Sequence, residues 1–572
     1  MYLTGDFVNP QQNDVVEQHC NFNISHSSSH EITTKLYEDD DVCIYLQGDV
    51  YKLGCDKIDF SYLANEISLI NELSVKSLSE IFYDVDGYFT LVLVDKKKSE
   101  LYLVTDRYGL WPLYTYRVDN NIRAWSTLLG KIKECDSNLD IDKDAVLSFL
   151  NHSYFLGNNT LYKNVSRVEP SKIIKISQDG NIINECQYWT WSEIKPRELD
   201  FDKAVDELYI HFINAVESHL DSGKKYCLTL SGGLDSRALL AAACRIGKYD
   251  ITCLSFGYPE SQDVKIASKV CKTLNVTHQV SIIDSNNWYK DREKGVFNTS
   301  GMYSFLHMHG LNPIDEIAAI STQVINGYLG DMVLGGGYLD KKDGRFLSVK
   351  ELAQKKYGKF AESIDFNNEF VKCDSSDPFF ILYRGVRFTS MGSDIVNDRV
   401  VNVKPFMDNK LLEFVYSIND EYRYNGKLYH TMLLKYFPDV FSTIPWQTTG
   451  KVITGADPDG GVEKFWLSIR PKLVSMIRQS RWNARITALY SKVKNTQVFV
   501  DYADWVNKPE FRMLVENVIN KDSAVMSILG KKEINNILKK AYTDRNVEPL
   551  GCLLSLEIYL SKIDLNGDAI LR

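Results

Sequence analysis

The sequence has no closely spaced cysteine pair, no long apolar run and no excess of basic residues. Its 11 cysteines are scattered, and no two are separated by only two residues. That pattern argues against a structural zinc site or a disulfide framework and favours a reducing compartment. No uninterrupted apolar run approaches the roughly 18 residues of a membrane-spanning helix. The start of the chain lacks the basic stretch and apolar run of a signal peptide. These absences predict a cytoplasmic protein.

The charge balance argues against a second group of functions. The formal net charge is −9 and the isoelectric point is about 5.7, so the chain as a whole has no attraction to nucleic acid or acidic lipid. We therefore expect no nucleic-acid partner and no membrane partner. The 572 residues are too many for one compact core, which predicts two or three domains.

The first third of the chain reads as strands. Short apolar and β-branched runs at 42–46, 88–94 and 101–105 are separated by turn-rich segments, as in antiparallel sheets. A helix is predicted at 61–72. Residues 1–195 are therefore expected to form an α+β domain. The segment 189–199, which contains Pro196, is the predicted linker.

From about residue 200 the pattern changes to alternating strands and helices. Strands are predicted at 226–230, 251–256 and 276–282, and helices at 236–246 and 264–274. Alternation at this spacing predicts a parallel sheet with right-handed crossovers. Beyond about residue 340 the sequence is mainly helical in pattern.

The most informative segment runs from residue 228 to 237 and reads LTLSGGLDSR. A strand leads into Gly232 and Gly233, which let the backbone approach an anion closely. The helix that follows presents free N–H groups and the positive end of its dipole. Ser231 and Ser236 add hydroxyl groups. Because Asp235 would repel a phosphate by itself, its presence implies a bridging Mg²⁺.

A second acidic segment follows a predicted strand at 323–326. It reads GYLGDMVLGG over 327–336, and Asp331 is the candidate for the opposite side of the metal. Neither segment matches the phosphate loop of ordinary kinases or the dinucleotide fingerprint. The first resembles the S-G-G-x-D-S pyrophosphate loop of ATP pyrophosphatases. The second resembles the matching segment of asparagine synthetases and β-lactam synthetases.

Further blocks extend the resemblance along nearly the whole chain. Residues 84–95 and 103–114 resemble the L-x-G-x-F and D-R-x-G-x-x-P-L-Y blocks of class II glutamine amidotransferase domains. Residues 159–162 and 168–170 match the segment that closes that domain, and PFMD at 405–408 matches a later P-F-L-D block. The chain thus resembles the asparagine synthetase-type proteins. The resemblance implies an Ntn-hydrolase-like α+β sandwich at 1–195. It implies an α/β parallel-sheet ATP pyrophosphatase domain with a helical C-terminal part at 200–572.

The resemblance also implies a site and its cofactors, ATP and Mg²⁺. A substrate carboxylate would attack ATP, release pyrophosphate and form an acyl-adenylate, which an amine then attacks. Tyr328 and Lys451 are the implied catalytic residues, and Asp235 and Asp331 the implied metal ligands. The implied nucleotide-binding residues are Ser231, Gly232, Gly233, Asp235, Ser236, Ser255 and Gly327.

The chain departs from the family at the glutaminase nucleophile. Where relatives carry a cysteine after the initiator Met, this sequence has Tyr2. Thr4 or Cys20 could replace it only after trimming, and Cys20 lacks a following glycine. We therefore expect a glutaminase-type domain without glutaminase activity, a condition shared with β-lactam synthetases and lasso peptide cyclases.

The synthetase part departs from the family too. Many relatives have an arginine before the late-loop lysine, where this chain has QTT at 447–449. The usual Glu-x-Arg before the PFMD block is replaced by VNVK at 401–404, so the acidic catalytic partner is unassigned. Arg384, Arg387 and Asp394 are candidate lining residues. Lys435 is interpreted as structural, and His307 and His309 as ordinary helix-end histidines.

Three functions remain open at this point. The first is an AMP-forming amide ligase in natural-product or peptide biosynthesis, including β-lactam-type or macrolactam ring closure as in lasso peptides. Its amine would come from a separate donor or from the substrate itself, with peptide-biosynthesis proteins as candidate partners. The second is an adenylating enzyme of the same loop class that uses ammonia or sulfur on another substrate. The third is a catalytically dead scaffold. A homodimer is compatible with each.

Overall fold

The computed structural model describes residues 2–6, 15–19, 22–27, 34–119, 121–454 and 500–563. The strands of the first part are β1 Tyr2–Asp6, β2 Val15–His19, β3 Phe22–Ser27, β4 Lys35–Glu38, β5 Val42–Leu53, β6 Asp56–Lys57, β7 Val85–Asp95, β8 Glu100–Thr105, β9 Tyr114–Val118, β10 Asn121–Ser126, β11 Val165–Arg167, β12 Lys172–Ser177 and β13 Ile182–Gln187. Its helices are α1 Phe60–Ser68, α2 Val75–Phe82, α3 Leu129–Cys135 and α4 Lys143–His152.

These strands form two antiparallel sheets packed face to face. One sheet has the order β11-β9-β10-β1-β3-β2, and the other has the order β13-β12-β8-β7-β5-β4 with β6 paired to β5. Because successive side chains of a strand point to opposite faces, every second residue enters the space between the sheets. Leu3 and Trp125 of the first sheet meet Tyr45 and Val92 of the second in one apolar cluster. The predicted α+β sandwich is confirmed.

The second part begins with a long helix and a parallel sheet. Its helices are α5 Phe201–His219, α6 Leu234–Ile246, α7 Gln262–Leu274, α8 Arg292–Asn298, α9 Ile314–Ile320 and α10 Gly330–Val333. Its strands are β14 Lys225–Thr229, β15 Asp250–Gly257, β16 Thr277–Ile282 and β17 Gln323–Ile325. The sheet order is β16-β15-β14-β17-β20, where β20 is Val401–Val403, and all four pairings are parallel. The predicted parallel sheet is confirmed.

The remaining chain is mainly helical, as expected. The helices are α11 Val349–Tyr357, α12 Asp377–Phe380, α13 Met391–Asp394, α14 Asn409–Ser417, α15 Asp420–Arg423, α16 Lys427–Tyr436, α17 Pro438–Phe441, α18 Tyr502–Trp505, α19 Pro509–Val518, α20 Ala524–Leu529, α21 Lys531–Thr543 and α22 Glu548–Ser561. A two-stranded hairpin joins β18 Lys341–Lys342 to β19 Arg345–Phe346. A π-helix, Ile381–Ser390, leads directly into α13. Short 3₁₀ helices connect several of these elements.

The helix expected at 61–72 is shorter than predicted, because α1 ends at Ser68. A separate helix, α2, begins at Val75, and Ser74 caps it with a reciprocal hydrogen bond to Ser77. Most of the predicted linker is exposed, at residues 192–193 and 195–198, whereas its first part is buried. Trp189 and Trp191 are buried in an apolar cluster that also contains residues of β5, α5 and α6. The division into 1–195 and 200–572 stays a prediction. Among the described helices, none is long and apolar enough to cross a membrane.

Candidate active site

The predicted pyrophosphate loop connects β14 to α6 at the carboxyl edge of the parallel sheet. The loop is held by its own serines. Ser236 Oγ accepts from the backbone N–H of Ser231 (3.1 Å), and Ser231 Oγ accepts from the backbone N–H of Gly233 (3.1 Å). The two hydroxyl oxygens lie 3.2 Å apart. The loop is therefore already shaped as a cradle at a helix N-terminus, the arrangement that binds anions.

The two predicted metal ligands meet because β14 and β17 are neighbouring parallel strands. Asp235 lies in the first turn of α6 and Asp331 in the first turn of α10. The backbone N–H of Asp331 donates to Asp235 Oδ2 (2.8 Å), and the Tyr429 hydroxyl donates to Asp235 Oδ1 (3.2 Å). The Asp235 carboxylate is thus oriented from both sides.

Two glycines allow this close approach. A Cβ on Gly330 would lie 2.5 Å from Asp235 Cγ, and a Cβ on Gly327 would lie 2.8 Å from the backbone nitrogen of Ser236. Neither distance is compatible with a side chain. Gly327 and Gly330 are therefore required by packing against α6, in addition to any contact with a ligand.

The surroundings of Asp235 and Asp331 disfavour the charged form of both carboxylates. Burial and the nearby charge of Asp331 raise the pKa of Asp235 well above its usual range. Desolvation by the surrounding protein also raises the pKa of Asp331, although that residue is partly open to solvent. Two neighbouring carboxylates whose charged forms are disfavoured fit a divalent cation, and Mg²⁺ prefers one or two carboxylates plus phosphate oxygens.

Next to these carboxylates is a cleft of about 320 Å³. Of the predicted residues it is lined by Ser231, Gly233, Asp235, Ser236, Gly327 and Tyr328. Ser255 lies away from it, since its hydroxyl donates to the carbonyl of Leu230 (2.7 Å) and contacts His278 Nε2 (2.9 Å). Its contacts support the end of β14, so any role in nucleotide binding would be indirect. Thr389, near the end of the π-helix, and Ser393, in α13, also line the cleft.

Tyr328 is buried at the side of this cleft. Its ring lies 5.2 Å from Lys404 Nζ, and Ser390 is a polar neighbour of its hydroxyl. No described residue gives that hydroxyl a hydrogen bond of ordinary geometry. Burial raises the pKa of Tyr328 well above 10. The phenol is therefore suited to donate a hydrogen bond to a ligand, whereas action as a base requires a lowered pKa.

Lys451 lies on a turn that rests on the pyrophosphate loop. The backbone N–H of Gln447 donates to the carbonyl of Gly232 (3.3 Å). Lys451 itself is exposed and is not among the residues lining the cleft. The structure therefore brings the Lys451 turn to the site while leaving the ammonium outside the cleft.

The structure adds polar residues that the sequence reasoning did not assign. Asp263 lies in the first turn of α7 and contacts both the pyrophosphate loop and the Lys451 turn. Its Ser-Gln-Asp context at a predicted helix start, after the strand next to β14, was the signal that could have found it. Lys404 is buried, with Nζ 2.8 Å from Asp394 Oδ1 and 3.1 Å from Ser390 Oγ. Nothing in the local sequence indicates that pairing.

Of the other candidates, His309 lines the cleft, whereas Arg384, Arg387, Lys435 and His307 are not among its lining residues. The Arg387 guanidinium donates to Asn158 Oδ1 (2.9 Å), and that of Arg384 stacks on Phe388 at 3.8 Å. Lys435 pairs with Asp206 at the surface, as its structural interpretation expects. His307 Nε2 contacts a Glu548 carboxylate oxygen (2.6 Å). Cys20 lies outside the described residues.

Comparison with known proteins agrees with this architecture. A family model described as "Glutamine amidotransferase domain" matches residues 69–189, and one described as "Asparagine synthase" matches residues 207–363. The chain thus joins a sandwich that matches an amidotransferase domain to a parallel-sheet domain that matches an asparagine synthase domain. Both family models and the relatives below support an asparagine synthetase-type protein, the family that the motifs resemble.

The relatives cover only part of this chain. A putative glutamine-hydrolysing asparagine synthetase 2 of Methanocaldococcus jannaschii is 26% identical over 324 residues, which are 53% of this chain and 61% of that protein. The glutamine-hydrolysing asparagine synthetase 1 of Bacillus subtilis is 22% identical over 283 residues, 46% of this chain and 42% of that protein. A solved glutamine phosphoribosylpyrophosphate amidotransferase of B. subtilis is 11% identical, with a TM-score of 0.22 over 64% of this chain and 83% of that one. That score is too low to support an inference.

Proposed function

We propose that this protein is an ATP-dependent ligase that activates a substrate carboxylate as an acyl-adenylate and then joins it to an amine. One observation carries the proposal. Asp235 and Asp331 converge beside a preformed anion cradle, and each is in the first turn of a helix that follows a parallel strand. The relatives of this chain are named as asparagine synthetases, which supports a ligase that forms carbon–nitrogen bonds.

In the proposed first half-reaction, different residues of the site bind the phosphates and the metal. Bound ATP and Mg²⁺ would supply an activated phosphate and a cation that neutralises the leaving group. Ser231, Gly232, Gly233 and Ser236 would bind the pyrophosphate part, and Asp235 and Asp331 would hold the metal. A carboxylate oxygen of the substrate then bonds to the α-phosphorus, and the bond to the bridging oxygen of pyrophosphate breaks.

In the proposed second half-reaction the amine nitrogen bonds to the acyl carbon, AMP leaves and the amine loses a proton. Tyr328 offers a neutral hydroxyl to the carbonyl oxygen, because burial keeps its phenol protonated. Lys451 would offset the negative charge on the departing AMP once its turn moves over the cleft. This division assigns the first step to the paired carboxylates and the second step to Tyr328 and Lys451.

The products of ATP turnover test the proposal. With a substrate carboxylate, each cycle should release AMP and pyrophosphate, measured by ion-exchange chromatography. Asp235→Asn and Asp331→Asn should lower AMP release at least about tenfold, because each removes a metal ligand. Asp340→Asn is the matched control, since Asp340 pairs with Lys355 at the surface. Stoichiometric ADP and phosphate would contradict the proposal.

We further propose that the amine does not come from glutamine. Tyr2 begins β1 and packs under Lys131, whose Nζ lies 4.2 Å from the ring centroid. The Thr4 hydroxyl donates to the backbone carbonyl of Trp125 (2.9 Å). The Thr4 hydroxyl is therefore engaged by the backbone, and position 2 carries a phenol in place of the cysteine thiol that serves as the nucleophile in glutaminases of this type. Purified protein incubated with glutamine should therefore yield no glutamate above a heat-inactivated control, and stoichiometric glutamate would overturn this point.

An amine already on the substrate is the simplest source that remains, which favours ring closure in a peptide or natural product. The supporting reason is chemical, because an intramolecular amine reacts at a high effective concentration. Mass spectrometry checks it. A candidate substrate should lose one water on incubation with ATP and Mg²⁺ without gaining a nitrogen atom. Incorporation of ¹⁵N from labelled ammonium would instead indicate an external donor.

A further inference from the structure

The carboxylate of Asp263 joins two segments of the proposed nucleotide site. Its Oδ1 accepts from the backbone N–H of Gly232 in the pyrophosphate loop (2.9 Å), and its Oδ2 accepts from Gln447 Nε2 (2.6 Å). Asp263 is only 6% exposed. A Cβ on Gly232 would lie 2.9 Å from Gln447 Cβ, so the Gln447 segment lies directly on the loop.

These contacts compete with a phosphate group. The N–H of Gly232 is one of the donors that an anion cradle at a helix N-terminus would offer. Here it is already used by a carboxylate, which carries the same sign of charge as pyrophosphate. A phosphate oxygen that accepts a hydrogen bond from this N–H must displace Asp263 Oδ1. The Gln447 side chain, which is hydrogen-bonded to the other carboxylate oxygen, must then move as well.

Residues 446–451, which include Gln447 and Lys451, form one hydrogen-bonded unit. The backbone N–H of Trp446 donates to the carbonyl of Lys451 (2.8 Å), and that of Gly450 donates to the carbonyl of Trp446 (2.8 Å). Thr449 Oγ1 accepts from the backbone N–H of Lys451 (3.2 Å). These bonds close residues 446–451 into a turn, so a displacement at Gln447 is transmitted to Lys451.

We propose that Asp263 and Gln447 form a latch that couples occupancy of the pyrophosphate loop to the position of Lys451. The latch rests on the proposed function, because it assumes that the loop binds a polyphosphate. When the loop holds no phosphate, the latch keeps the turn against Gly232 and Lys451 outside the cleft. When phosphate takes the Gly232 N–H, the latch opens and the turn, with Lys451, becomes free to reposition. Asp263 and Gln447 are therefore positioning residues.

Trp446 reports on this movement. Trp446 is half-buried in the same turn. Its ring packs edge-on against that of His430, with the ring centroids 5.6 Å apart. Addition of magnesium pyrophosphate to the full chain should change the tryptophan emission as the turn leaves that position. Trp446→Phe should bind the probe with unchanged affinity by isothermal titration calorimetry but lose the emission change, which assigns the signal to Trp446.

The affinity of latch variants distinguishes a latch from a merely structural contact. Gln447→Ala removes a hydrogen bond that must otherwise break on binding. It should therefore bind magnesium pyrophosphate more tightly, by about tenfold, the equivalent of one hydrogen bond to a charged group. Asp263→Asn should also bind more tightly, because the repelling charge is gone. Thr448→Ala, an exposed neighbour in the same turn, is the control and should match the wild type.

Each outcome decides a different point. Tighter binding by Gln447→Ala, with a Trp446 signal in the wild type, supports the latch. Normal wild-type binding with no Trp446 signal, or with Gln447→Ala equal or weaker, overturns the latch and leaves the proposed function standing. If no variant or wild type binds magnesium pyrophosphate, then the proposed function and the latch both fail.

Discussion

Tyr328 and Lys451 are constrained by the fold in opposite ways. Tyr328 is buried beside the cleft, where desolvation favours its neutral form. Lys451 is exposed on a turn that is closed by backbone hydrogen bonds. A buried hydroxyl is already in place for a ligand, whereas an exposed ammonium depends on movement of its turn. The two residues should therefore affect different steps.

Lys451→Ala tests this difference. The variant should fold and bind ATP nearly normally, and its pyrophosphate exchange should persist, because the first half-reaction depends on the loop and the paired carboxylates. Amide formation should fall about a hundredfold or more, since a single well-placed donor to a developing charge contributes on that order. Lys435→Ala, which removes a surface lysine paired with Asp206, serves as the control. Full product formation by Lys451→Ala would show that the turn is not part of the active site.

At the scale of elements, the site depends on how closely the start of α10 approaches the first turn of α6. Gly330→Ala should push the Asp235 carboxylate out of position, because the added Cβ would lie 2.5 Å from its Cγ. We expect at least a tenfold loss of AMP release and a loss of stability of about 1–3 kcal/mol, typical of overpacking. Enzyme assays and thermal denaturation measure the two effects. Gly310→Ala is the control, since its nearest neighbours are 4.0 Å away, and equal behaviour of both variants would contradict the packing argument.

At the scale of the whole molecule, a buried group of charges joins the sandwich to the helical part. Lys52 Nζ contacts Asp408 Oδ2 (2.5 Å) and lies 3.7 Å from Asp86 Oδ2. The backbone N–H of Asn409 donates to Asp86 (2.9 Å). Burial and the charge of Asp408 raise the pKa of Asp86 to about 7, while Lys52 holds the pKa of Asp408 below its usual value. Asp86 is therefore the member that titrates near neutral pH.

The sign of this shift predicts a pH dependence. An unfolded aspartate ionises near pH 4, whereas folded Asp86 keeps its proton to about pH 7. Its contribution to stability is therefore present below pH 4 and is lost as pH rises through this window. Asp86→Asn should remove that loss and raise the melting temperature at pH 8 by roughly 2–4 °C. Calorimetry at pH 5 and pH 8 measures it, with exposed Asp84→Asn as the control. An unchanged pH dependence in Asp86→Asn would refute the assignment.

Local sequence was sufficient for the elements and for the chemical character of the site. The strand–SGG–helix segment, the alternating strands and helices, and the GYLGDMVLGG segment depend on near neighbours in the chain. Backbone conformation, helix ends and hydrophobic periodicity are set at that range. For the same reason Ser231, Gly233, Asp235 and Ser236 could be named from their own segment, and the family resemblance added Gly327 and Tyr328. The structure places all six at one cleft.

The contacts between distant segments were decided only by the tertiary structure. Asp263 meets Gln447 across 184 positions, and Lys52 meets Asp408 across 356. Ser255 carries the expected hydroxyl but turns it to the carbonyl of Leu230. No local pattern encodes such pairings, because they follow from which strands are neighbours and how helices pack on them. The same burial keeps Tyr328 protonated and raises the pKa of Asp86, since desolvation depends on everything packed around a side chain rather than on its neighbours in sequence.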